Sequence, residues 1–89
     1  MEAGQIVYSK CGRDRGRAFV VLSMEGDYVM LADGKLRKVA QPKKKKHKHI
    51  QHTHTVSFEI QRKIREKNAL TDADLRKVLK EVVTCQRKM

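Results

Sequence analysis

Aromatic side chains are scarce: the 89 residues include two Tyr, two Phe and no Trp. Proteins that hold single-stranded nucleic acid usually offer several exposed rings on which bases stack. With so few rings, and Phe19 expected in the core, that mode is disfavoured. Long apolar runs are missing too. The longest, Ala18 to Leu22, has five residues, against the roughly 20 that a bilayer-spanning helix needs, so no membrane partner is expected. Met1 to Gln5 contain no basic stretch leading into an apolar run, so no secretory signal is expected and the expected location is cytoplasmic. Cysteine appears twice, at Cys11 and Cys85, far apart and without a C-x-x-C spacing. In that compartment both are expected to be free thiols.

Acidic residues are also few. Ten Asp and Glu face twenty-one Lys and Arg, for a net charge of +11. A compact domain with that imbalance repels itself, and such imbalance commonly accompanies a polyanionic partner. The excess is uneven. Residues 1–55 carry twelve basic and five acidic side chains (+7), and residues 56–89 carry nine and five (+4).

The chain divides in the same place. Residues 1–55 read as short strands separated by turns: Gln5 to Ser9, Ala18 to Leu22, Tyr28 to Ala32 and Leu36 to Val39. Glu25-Gly26-Asp27 is expected to turn the second strand into the third, and Asp33-Gly34 matches the two-residue hairpin that feeds a fourth. The unbroken Ala18–Leu22 run predicts burial on both faces, or burial on one face with neighbours covering the other. A fifth strand around Ile50 and Gln51 would complete a small five-stranded β-barrel, with Pro42 and a basic loop at 43–49 as the connection. Residues 56–89 read as a helical extension. Val56, Ile60 and Ile64 recur at helical spacing after Thr55 or Ser57 as cap, with Asn68 as a possible end. Thr71-Asp72-Ala73-Asp74 resembles a capping box before the apolar stripe Leu75, Val78, Leu79 and Val82. The expected fold class is therefore mainly β with an α tail of one or two helices.

Two basic clusters carry the functional expectation. In the first, Lys10, Arg13, Arg15 and Arg17 surround Gly12 and Gly16. A glycine turn exposes backbone N–H groups, and guanidinium forks suit phosphate. The G-x-x-x-x-G-K-[ST] phosphate loop is absent. In the second, Lys35, Arg37 and Lys38 lead to Lys43, Lys44, Lys45, Lys46, His47, Lys48 and His49, placing eight formal charges in fourteen residues. No acid stands between Asp33 and Glu59. Runs of this kind serve nucleic acid, anionic membrane or nuclear import. No amphipathic or lipidated segment supplies the second anchor that membrane binding needs, which favours nucleic acid over membrane. Charge without stacking rings points to structured RNA read through phosphates and 2′-hydroxyls.

His47, His49, His52 and His54 have an H-x-H-x-x-H-x-H spacing, but lysines around the first two repel a divalent cation, and no metal site is expected. Acidic residues lie scattered in turns and caps, and no Ser or Cys stands in a nucleophile motif, so neither catalysis nor a cofactor is expected.

With Gly4 and Ile6, then Gly12, Asp14, Gly16 and Arg17, the apolar Phe19-Val20-Val21, and Asp33-Gly34 followed by Arg37 and Val39, residues 4–51 resemble the KOW module. The likeness is to the eukaryotic and archaeal ribosomal proteins that carry it and, more closely, to compact bacterial RNA-binding relatives. The resemblance implies a translation-type SH3-like barrel whose Gly16 turn lies on ribosomal RNA. Arg13, Arg15 and Arg17, and then Lys35, Arg37 and Lys38, would be its contacts. The alternative is a protein-interaction adaptor for a transcription factor, a translation factor or a ribosomal protein, held through the barrel or through the helix at residues 71–85. A monomer is expected when the chain is free.

Overall fold

The computed structural model describes residues 1–66 and 70–87. Five antiparallel strands form one open sheet, followed by two helices. The strands are β1 (Gln5–Ser9), β2 (Ala18–Glu25), β3 (Tyr28–Ala32), β4 (Lys43–Lys46) and β5 (Ile50–Val56), in the order β4-β3-β2-β1-β5. The helices are α1 (Phe58–Arg65) and α2 (Asp72–Arg87).

The first three strands lie where their β-branched residues and turns place them, and the Gly26-Asp27 turn joins β2 to β3. Both faces of β1 and β2 are buried, the first of the two arrangements that the apolar run predicts. On one face Ile6, Val20 and Ala32 pack against Ile60, Leu75 and Leu79 of the helices. On the other Val7, Phe19, Val21, Val29, Leu31 and Ile50 form a second cluster. Ten Val, Ile, Leu and Phe side chains in these clusters are at most 2% exposed, and each adds about 1.5–3 kcal/mol of burial.

The fourth strand differs from expectation. Leu36–Val39 is not a strand; residues 34–37 are bends, residues 39–40 a turn, and Leu36 is 66% exposed. The lysine run takes its place. Lys43–Lys46 pairs with β3, with Tyr28 opposite Lys46 and Leu31 opposite Lys43. Residues 43–49 are therefore not a loop, but an edge strand followed by a 3-10 turn at His47–His49. An edge strand exposes unpaired backbone groups, and lysine is a common guard against intermolecular pairing there. The reading of Asp33-Gly34 as a hairpin missed a second demand on glycine. Gly34 has φ +79°, and a Cβ on it would overlap the carbonyl oxygen of Asp72. It lets α2 rest on the chain.

The sheet is strongly curved. β2 and β3 stand between β4 and β1, which at about 4.8 Å per step would put β4 roughly 14 Å from β1 in a flat sheet. Yet Lys45 Nζ donates to Ser9 Oγ of β1 at 2.6 Å. Register shifts at Val21/Ser23 and at Gln5/Val7 are of the kind that tighten twist and bend strands.

Helix α1 starts at Ser57, whose hydroxyl accepts from the Ile60 amide at 3.3 Å. Helix α2 starts with the reciprocal box foreseen in the sequence: the Asp74 amide donates to Thr71 Oγ1 and the Thr71 amide to Asp74 Oδ2. Lys63 and Asp74 join the helices at 3.0 Å. Asn68 and the side chain of Cys85 lie outside the described residues; Cys11 is a free thiol. Among the described residues no helix is long and apolar enough to cross a membrane.

Candidate nucleic-acid interface

Three segments distant in sequence meet at one end of the sheet: the β1–β2 loop (residues 10–17), the segment at 33–38, and the start of β4. Two carboxylates organise them. Asp14, buried in the β1–β2 loop, accepts from Lys43 Nζ. That bond holds its carboxyl below the usual range against the cost of burial, and Arg37 and Lys45 add to the effect. Asp33 accepts from the amides of Lys35 and Arg37, both at 2.9 Å, and from Arg17 Nη2 at 3.2 Å. Burial works against its charged form, but these three donors outweigh burial and keep its carboxyl low as well.

The loop backbone is closed by the Arg15 amide donating to Gly12 O, the Gly16 amide to Ser9 O and the Arg17 amide to Asp14 O. Lys45 completes the frame. It is 8% exposed, and its ammonium donates to Ser9 Oγ and to the Cys11 carbonyl at 2.8 Å.

The fourteen basic positions singled out in the sequence thus divide into groups. Arg17, Lys43 and Lys45 are engaged by the fold's own groups, Arg17 with its side chain still 38% exposed. Lys10, Arg13, Arg15, Lys35, Arg37 and Lys38 have exposed side chains and no ion pair among the described residues. They decorate the frame built by the first three. Lys44 and Lys46 lie on the opposite side of β4, with ammonium groups 4.7 and 6.0 Å from the Tyr28 ring centre; Lys44 also faces Glu25 at 3.8 Å. Lys43 bonds directly to Asp14, which stands between Arg13 and Arg15, so the β1–β2 loop and the start of β4 are joined.

Exposed His47 and Lys48 and half-buried His49 follow β4. The Lys10 amide donates to His49 O at 2.9 Å, which links this turn to the β1–β2 loop. His47 meets His52 edge-on at 4.7 Å. Desolvation lowers the His52 pKa, with His47, the N-terminus and Lys10 adding, which favours the neutral imidazole. Among the described residues no three His, Cys, Asp or Glu side chains are placed to share a metal ion.

Sequence reasoning counted cations and overlooked their organisers, Ser9, Asp14 and Asp33. The available signal was that Asp14 and Asp33 are isolated acids inside otherwise basic segments.

No family model and no curated protein matches this chain.

Proposed function

We propose that the chain is a non-catalytic RNA-binding protein of the translation apparatus, a KOW-type module that docks on structured ribosomal RNA in the cytoplasm. In this reading the curved sheet is an SH3-like barrel, no cofactor takes part, and the free protein is a monomer. The observation that carries the proposal is the cluster of six exposed cations on a frame braced by Arg17–Asp33 and Lys43–Asp14. Exposed charges held on a fixed scaffold suit phosphates at defined spacings, because less side-chain and loop ordering remains to be done on binding.

The surface lacks a row of stacking rings. Phe19 is buried, Lys44 and Lys46 sit by Tyr28, and Phe58 stands exposed on α1 away from the cation-bearing segments in sequence. This favours readout of RNA shape through phosphates and 2′-hydroxyls over single-strand stacking. An adaptor that works through the α2 stripe loses support, since Leu75 and Leu79 are buried against the sheet.

Replacing Arg13, Arg15, Lys35, Arg37 and Lys38 together by Ser tests the reading. A folded variant is expected to lose binding to ribosomal RNA fragments by at least a hundredfold and to leave the ribosomal fractions of a sucrose gradient. Retention of both by a folded variant would refute the proposal. Replacing the Lys43–Lys46 run is a poor test, because it removes β4 and its internal bonds.

A further inference from the structure

Among the described residues the exposed large apolar side chains are Met24, Leu36 and Phe58. Leu36 alone has basic neighbours in the chain, in Lys35-Leu36-Arg37-Lys38. Single exposed leucines are ordinary; the backbone beneath this one is not. The amides of Asp33 and Gly34 both donate to the Arg37 carbonyl, at 2.9 and 3.1 Å. The amides of Lys35 and Arg37 return to Asp33 Oδ1. Arg76 Nη1 holds the Gly34 carbonyl at 2.7 Å, and Arg17 holds Asp33. The segment is a closed, pinned ring with Leu36 at its apex. A leucine left 66% exposed on such a support is presented outward by the fold.

We infer that Leu36 is a nucleobase contact: while Lys35, Arg37 and Lys38 hold phosphates, its side chain covers the face of an unpaired base in the bound RNA. The inference rests on the RNA-binding reading and gives it a specificity element. Charge complementarity selects the occupant, since an apolar knob ringed by cations fits a ligand with an apolar face between anionic groups. In a paired helix base faces are stacked away, whereas a bulged base can be splayed out.

The test uses two RNA hairpins identical except for one bulged nucleotide, with parent, Leu36→Ala and Leu36→Phe proteins. The parent is expected to prefer the bulged hairpin. Leu36→Ala should melt at the parent's temperature and lose about fivefold to tenfold in affinity for the bulged RNA. It should bind the paired hairpin as the parent does, with an unchanged salt slope. Leu36→Phe should keep the preference. If the parent shows salt-dependent binding but Leu36→Ala retains the full bulge preference, the inference fails and the RNA-binding reading stands. If the parent binds neither hairpin in a salt-dependent way, both fail.

Discussion

Lysines 43 to 46 are chemically identical and adjacent, yet the fold predicts an alternating response to their removal. Lys45 is 8% exposed and donates charged hydrogen bonds to Ser9 Oγ at 2.6 Å and the Cys11 carbonyl at 2.8 Å. Hydrogen bonds from a charged group contribute about 1.5–3 kcal/mol, and a buried acceptor left bare costs about 1–3 kcal/mol. Ser9 Oγ keeps its own bond to Cys11 O at 3.0 Å, which offsets part of the loss. Lys45→Ala should therefore cost about 3 kcal/mol, or roughly 12–24 °C in melting temperature for a domain of this size. Lys43→Ala strips the ion pair from buried Asp14 and should cost about 2 kcal/mol. Lys44→Ala and Lys46→Ala remove exposed side chains and should stay within about 0.5 kcal/mol. Lys45→Met, which keeps the buried stem, separates the ammonium's share from that of packing. Urea and thermal unfolding followed by circular dichroism measure all five variants. Equal effects along the run, or larger losses at positions 44 and 46, would refute the placement of β4.

Acid should destabilise the fold. Asp14, Asp33 and Asp74 have pKa values lowered from 3.8, so below that value the unfolded chain takes up protons that the native carboxylates resist. Their contribution is complete above about pH 5 and is lost as pH falls through the native pKa values, which urea midpoints between neutral pH and pH 2 will follow. Asp14→Asn should lower neutral stability and flatten this fall; an unchanged acid limb would count against the Lys43–Asp14 pair. Gly34→Ala should destabilise far more than Gly16→Ala. Both need positive φ, but only Gly34 lies against Asp72, whereas a Cβ at Gly16 meets nothing within 4 Å; chemical denaturation separates the two. Ser57→Ala should cost about 1 kcal/mol through loss of the α1 cap, read by the same unfolding assay.

Much of the scaffold was legible in the sequence, because its signals are local. β-branched runs mark β1 to β3, Gly26-Asp27 marks their hairpin, and Thr71 and Asp74 mark the start of α2. The fourth strand was not legible. Four consecutive lysines carry no alternation that could distinguish an inward from an outward side chain, and the burial of Lys45 depends on Ser9 and Cys11, far away in the chain. Asp33-Gly34 misled for a related reason: the glycine answers both to its turn and to the close approach of α2, a tertiary demand. The basic clusters were visible as composition, but their division into braces and exposed groups was not. Arg17 and Arg15 differ in sequence only by position, and Asp33 on another segment makes one of them a brace.

The central claim is that the exposed cations around the Asp14 and Asp33 frame meet RNA phosphates. The most direct measurement is the affinity of the intact protein for a folded ribosomal RNA fragment as salt rises from about 50 to 200 mM, where each phosphate contact contributes about −0.7 to −0.9 to the log–log slope. Four to six contacts predict a slope of about −3 to −5. Absence of binding, or affinity indifferent to salt, would contradict the account.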